Sequence, residues 1–322
     1  MKNIALILAP FLVLFLVSCE KDELPVPAHD PGDVKDQSIG IGSDYLNQIY
    51  FSLEGDEIPK SNAKTDWDLA FECGDDGYHI FLNTANGMAL YKTSLSSLSE
   101  TIDPATAEWT WDVTSGNTDS TAFGDWNQSS AIYLIDRGYD EQGDARGMTL
   151  VKPEEVTKDG YQFSFRHLDA TEIHGLTVNK SVISSRVHAS LSGMGGTMDL
   201  EPEVDSWELL FTQYTHLFDG PTPYLVTGVL INMNTTEVAL DTTLKFEDIS
   251  RENLDSYVFH GAQNRIGYDW KVYDYQGGVY HIRTDVSYLI RKENGIVWKL
   301  HFVDFYNESG ERGYPRFEYQ EL

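Results

Sequence analysis

Cysteine is almost absent from this chain: Cys19 and Cys73 are the only two in 322 residues. No disulfide framework can hold a fold, so the apolar core must. Cations are scarce too, with 23 Lys and Arg against 51 Asp and Glu and a net charge of -28. Such a field repels phosphate backbones and anionic lipid surfaces, which argues against nucleic acid as a partner. Also missing are G-x-S-x-G, H-E-x-x-H and a Gly-rich phosphate loop, the spacings that mark a nucleophile elbow, a zinc protease helix or a nucleotide site. Asp66 and Asp68 flank Trp67, but alternate strand positions are more often solvated than catalytic. The chain therefore reads as a non-enzyme. Asp136, Asp140, Glu141 and Asp144 crowd a Gly-rich loop without the alternating oxygens of a calcium loop, and no metal is expected there. Cys73 follows the apolar stretch Leu69-Ala70-Phe71 and reads as a buried, inert thiol.

One long hydrophobic run is present, Ile4 to Val17 after Lys2. A polar segment follows at once, so the run reads as a signal-peptide core rather than a membrane span. It ends Leu16-Val17-Ser18-Cys19, which resembles the lipobox of bacterial lipoproteins. That resemblance implies cleavage before Cys19, acylation of its thiol and anchorage in outer-membrane lipid. Glu20-Lys21-Asp22-Glu23 resembles the signal by which Bacteroidetes lipoproteins reach the outer face of the outer membrane. Residues 24 to 37 carry Pro25, Pro27, Pro31 and Gly32 among acids and read as a flexible tether.

Beyond the tether, 41% hydrophobic and 12% aromatic residues are ample for a core. Period-two alternation dominates, with no convincing long amphipathic helix, so the fold class is mainly β. Two hairpins are placed by Asn-Gly turns, which accept the positive φ of a tight reversal. One joins Tyr78–Asn83 to Met88–Tyr91 through Asn86-Gly87, the other Val286–Lys292 to Ile296–Tyr306 through Asn294-Gly295. In the latter, Ile296, Trp298, Leu300 and Phe302 share one face and Lys299 and His301 the other, the pattern of a half-buried strand. Trp207, Trp270, Trp298, Leu300 and Phe302 are expected in the core. Thr65-Asp66-Trp67-Asp68-Leu69-Ala70-Phe71 is echoed by Asp205-Ser206-Trp207-Glu208-Leu209-Leu210-Phe211. A duplication would explain this, and so would two halves that share a strand-entry device. The expected organisation is a signal peptide (1–18), an acylated tether (19–37), an N-terminal β domain (38–165) and a C-terminal β domain (166–322).

Several segments resemble the HmuY family of Bacteroidetes lipoproteins. They are Trp207 to Tyr214 with its echo at Trp67, Tyr224 to Val229, Tyr288 to Arg291, Lys299 to Tyr306, and Phe317-Glu318-Tyr319. The resemblance implies an antiparallel β-sheet architecture and haem or porphyrin binding for iron acquisition, with an outer-membrane haem receptor as a further partner. Family members hold haem between two loops at one end of the fold, each loop giving an axial ligand. One ligand follows a tryptophan before the closing hairpin. Here the matching tryptophan is Trp270, which puts Tyr275 at the ligand position. With a two-residue Gly277-Gly278 turn, Tyr275 would face Tyr280 across the hairpin. The stretch from Leu240 to Trp270 is too short for the family's other ligand loop, and His260 and His216 are the nearest substitutes. The competing reading is a non-haem module that binds another ligand or partner at the cell surface.

Overall fold

The computed structural model describes residues 31–219 and 222–322. Cys19, the signal peptide and most of the tether lie outside the described residues. Among the described residues twenty strands, all paired antiparallel, build four main sheets and one two-stranded hairpin. The helical pieces among the described residues are short 3-10 turns, and none is long and apolar enough to cross a membrane. The mainly β reading holds.

The first four-stranded sheet contains β4 (Leu69–Glu72), β5 (Ile80–Leu82), β11 (Arg186–Ser190) and β12 (Gly196–Met198), in the order β12-β11-β4-β5. A five-stranded sheet packs on it, made of β6 (Ala89–Lys92), β7 (Tyr133–Asp136), β8 (Met148–Val156), β9 (Gly160–His167) and β10 (His174–Asn179), in sequential order. Leu69, Phe71 and Leu82 from one sheet meet Tyr133, Val151 and Phe163 from the other in a closed apolar core. Alternation along β4 is the cause: Leu69 and Phe71 point into the sandwich while Ala70 points out of it.

The same plan recurs with different strands. β2 (Asn47–Ser52), β3 (Glu57–Ala63), β13 (Leu209–Phe218) and β14 (Thr222–Ile231) form a sheet of order β3-β2-β13-β14. Its five-stranded partner runs β15-β18-β19-β20-β1, from β15 (Thr236–Asp241), β18 (Ser287–Lys292), β19 (Val297–Tyr306), β20 (Arg312–Glu321) and β1 (Lys35–Ser38). Leu209, Phe211, Trp270, Trp298, Leu300 and Phe302 lie in the core between them. These include four of the five side chains expected to be buried; the fifth, Trp207, is buried in a smaller cluster on the outer side of β13. Each strand of the first sandwich thus has a counterpart in the second, provided the chain's own start, β1 to β3, is read after β20. The repeats are residues 67–198, and 207–322 completed by 35–63.

Local chemistry repeats with the topology. Asn83 donates to the carbonyls of Lys64 and Trp67, and its own N–H meets the Asp68 carbonyl. Asn232 does the same with Val204, Trp207 and Glu208. The echo around Trp67 and Trp207 is therefore one strand-entry device used at equivalent places.

Several expectations change. The 165/166 boundary falls inside β9, and β1, β2 and β4 pair with β20, β13 and β11 across it. The tether ends earlier than residue 37, because Lys35–Ser38 is a strand on β20, where Asp36 pairs with Arg316 and Lys35 with Asp56. The Asn86-Gly87 segment is not a hairpin. Asn83 caps a 3-10 turn there, accepting from Ala85 N–H at 3.1 Å, and the turn carries the chain from one sheet to the other, so β5 pairs with β4 and β6 with β7. Asn294-Gly295 does close the β18–β19 hairpin, with Gly295 at φ 88°. The outer face of β19 is covered rather than solvated: Lys299 is buried and donates to the carbonyls of Phe246 and Ile249, and His301 stacks on Phe246. Asp68 is not solvated either, with 0% of its surface exposed. Cys73 is partly buried, and burial raises its thiol, as expected of an inert group.

Candidate functional site

Between β15 and β18 the chain leaves the sheet and forms a two-stranded hairpin, β16 (Lys271–Asp274) and β17 (Val279–Ile282). Trp270 anchors its base, stacked on Phe302 with ring centroids 3.9 Å apart. The tip differs from a two-residue turn. Asp274 pairs with Val279, which leaves the four residues 275–278 as the loop, and it is Tyr273 that faces Tyr280. Asp274 sets this length: its carboxylate accepts from Gln276 N–H at 2.8 Å, and its carbonyl accepts from Gly278, which sits at φ 70°. Tyr275 consequently projects from the tip, 90% exposed, with its ring 5.1 Å from that of Tyr273.

Tyr280 is a packing residue at the base of this face. Its N–H donates to the Tyr306 hydroxyl at 2.7 Å, its ring contacts Tyr273 and Phe305, and burial raises its phenol. Beneath it lies Lys271, a buried ammonium against the rings of Trp270 and Phe305 that donates to the Thr227 carbonyl. Burial pushes this lysine down to about 7. Tyr45, whose hydroxyl is buried without a partner, completes the cluster against Phe305.

A second hairpin, β13–β14, is held beside this one, since Lys271 donates to the Thr227 carbonyl of β14. On β13 and β14, His216 lies opposite Tyr224, and Phe218 opposite Thr222. Cross-strand partners share a face, so His216, Phe218 and Tyr224 form one aromatic surface, joined by Tyr268. Lys271 bridges the two hairpins at their base, lying against the Tyr280 ring and donating to the carbonyls of Thr227 and Tyr268. His216 packs between Phe218 and Tyr268 with Nδ1 shielded from solvent and free of any hydrogen-bond partner.

Of the residues singled out in the sequence, Tyr275 and Tyr280 are linked through Tyr273, and His216 is connected to them through Tyr268 and Lys271. His260 is elsewhere: it is exposed, its backbone bridges to Val238 of β15, and none of its described contacts reaches the hairpin tips. Phe218, Tyr224, Tyr268 and Tyr273 were not anticipated. No local pattern marks them, because the connection between the two hairpins is long-range. Lys271 gives no sequence signal, since a lysine inside Trp270-Lys271-Val272 looks solvated until its partners are known.

Fold and site together define an all-antiparallel β protein that presents a pair of aromatic hairpin tips. The chain belongs to the HmuY family, whose model, described as HmuY protein, matches residues 44–319. Among solved structures it is similar to apo PinO from Porphyromonas gingivitis, at 12% identity over 90% of this chain and 97% of that one with a TM-score of 0.36. It is also similar to the apo HmuY analog of Tannerella forsythia, at 11% identity over 91% and 99% with a TM-score of 0.27. Scores this low carry no argument, and the assignment rests on the family match. No curated protein matches the sequence.

Proposed function

We propose that this protein is a lipid-anchored surface lipoprotein that captures haem or a related porphyrin on the face between the β13–β14 and β16–β17 tips. The observation that carries the reading is a pair of aromatic hairpins joined through Lys271 in a chain of the HmuY family: Tyr275 projects from one tip, and His216 lies in the aromatic surface of the other hairpin. These donor types fit the group, because haem supplies an iron that takes phenolate or imidazole axial ligands. Tyr275 would give the phenolate oxygen, and His216, whose Nδ1 is closed off by packing, would ligate only through its other nitrogen, Nε2. Tyr273, Tyr224 and Phe218 would supply flat apolar wall, and Tyr280 the packed base. A phenolate favours the more highly charged ferric ion. The acidic surface offers haem's carboxylates no attraction, so ring contact and ligation must supply the affinity.

Haemin titration of the mature domain, followed by the Soret band, tests the reading. Saturable binding is expected, with a shifted band and weaker ferric affinity in Tyr275→Phe, which removes only the oxygen. Unchanged spectra would reduce Tyr275 to a wall residue. Absence of haemin binding by the intact domain would favour a non-haem surface module instead. Anchorage is tested separately: fatty-acid labelling should disappear in Cys19→Ala.

A further inference from the structure

Arg312 stands at the end of the β19–β20 hairpin, opposite Tyr306. Cross-strand partners share a face, and the Tyr306 hydroxyl accepts from Tyr280 N–H of β17 at 2.7 Å. The Arg312 guanidinium lies over the Tyr45 ring, 5.3 Å from its centroid. From there rings continue toward the β16–β17 tip: Tyr45 to Phe305, Phe305 to Tyr280, Tyr280 to Tyr273 and Tyr273 to Tyr275, with centroids 6.2, 5.1, 4.9 and 5.1 Å apart. Arg312 is therefore one end of an aromatic strip whose other end is Tyr275. Its seat is held in place, since Ile41 N–H pins the loop before Tyr45 to the Gly313 carbonyl at 3.0 Å. Tyr45 itself takes φ 58°, a conformation that a non-glycine residue keeps only where its surroundings impose it.

In a chain of net charge -28, acids are at hand for an exposed guanidinium. Arg291 and Arg316 each have one, Glu237 and Asp36. Arg312 is exposed as well, yet among the described residues it has the Tyr45 ring and neither an ion pair nor a side-chain hydrogen bond. Two acids of the same hairpin are engaged elsewhere: Glu311 accepts from Asn307 Nδ2 at 2.7 Å, and Asp304 accepts from the N–H groups of Phe305 and Tyr306. A guanidinium backed by a ring keeps its edge donors for an acceptor, and a carboxylate matches that fork with two bonds.

We infer that Arg312 pairs with a carboxylate of the flat ligand held on this face, so that the face prefers porphyrin acids to their uncharged esters. The inference rests on the reading of the face as a porphyrin site; to ring contact and ligation it adds a local charge that orients the ligand against the acidic background. Titration of the mature protein with haemin and with haemin dimethyl ester, in one neutral-detergent buffer at low and at high salt, is the test. At low salt Arg312→Gln should weaken haemin binding about two- to fivefold, the size of an exposed ion pair, with the Soret band in place and the ester's affinity unchanged. High salt screens exposed charges and should narrow the difference. Arg312→Lys, which keeps the charge without the fork, should weaken haemin less, again sparing the ester, and it serves if Arg312→Gln misfolds by circular dichroism. Equal losses for acid and ester would make Arg312 a support for Tyr45, and unchanged haemin binding would make it a bystander; either result overturns the inference and leaves the porphyrin reading standing. If neither compound binds the parent protein, both readings fall.

Discussion

A carboxylate cut off from water must be neutralised in place, and Asp68 is. Arg137 approaches it through Nε at 3.1 Å and Nη2 at 2.9 Å, Arg146 through Nη1 at 3.0 Å, and Leu191 N–H donates at 2.6 Å. Glu208, its counterpart, pairs with Lys292 at 2.9 Å and accepts from Leu53 N–H. Removing one partner of a buried pair leaves uncompensated charge, so Asp68→Ala should cost about 3–5 kcal/mol in urea unfolding. Asp66→Ala should cost about 1 kcal/mol or less, because its carboxylate only caps an exposed turn at Ala63. A loss under about 1 kcal/mol in Asp68→Ala would mean that the arginines reach water instead. Alternation placed Asp68 on a solvated face because its arginine partner at 137 lies 69 residues downstream, beyond any local pattern.

Lys271 makes a second argument at this scale. Its folded value of about 7 lies below the ordinary 10.5, with burial the dominant cause. Between those values the unfolded chain holds the proton more often, so stability should rise as pH goes from 7 to 9. The gain is at most about 2–3 kcal/mol. Lys271→Met should flatten that rise in chemical-denaturation curves; an equal rise in the variant would place the titration elsewhere.

At the scale of elements, the two Asn-Gly turns show what a local signal settles. Asn294-Gly295 closes β18 on β19, where both flanking strands run for six residues or more. Asn86-Gly87 ends a capped turn between different sheets, because β5 has only three residues and its partner is β4. The same limit applies at β16–β17, where Gly277-Gly278 located the reversal but Asp274 decided the loop length and moved Tyr280 opposite Tyr273. The core face of β19 was legible, since Trp298, Leu300 and Phe302 enter the core and Ile296 packs partly buried beside them, but the covering of its other face was not. Trp298, 2% exposed, should cost about 3–5 kcal/mol when changed to Ala, from lost transfer energy and the cavity left behind. A midpoint shift worth less than about 1 kcal/mol would mean the site collapses around the gap.

For the molecule as a whole, the echo at Trp67 and Trp207 exposed the repeat but not its boundaries. Sequence order suggested halves divided near residue 165, whereas one repeat is contiguous and the other is closed by the chain's own start. Pairing fixes this, since both sheets of the first sandwich use only β4 to β12, while β19–β20 receives β1 and β13 receives β2. A fragment spanning 67–198 keeps every strand of two packed sheets and a complete core, so it should unfold cooperatively in urea. A fragment spanning 38–165 loses β10 to β12 and carries β2 and β3 without β13, which leaves open sheet edges and an uncovered apolar face. It should aggregate or lack a cooperative transition. The ends of the described chain also meet, with Gly32 N–H donating to the Glu321 carbonyl at 3.1 Å. A permutant that joins Leu322 to Pro31 through a short linker and opens the chain between Asp199 and Glu203 makes the second repeat contiguous as well. Its urea midpoint should stay near the parent's, because the cut removes no strand; a permutant without a cooperative transition would show that the connection between the sandwiches is needed to assemble them.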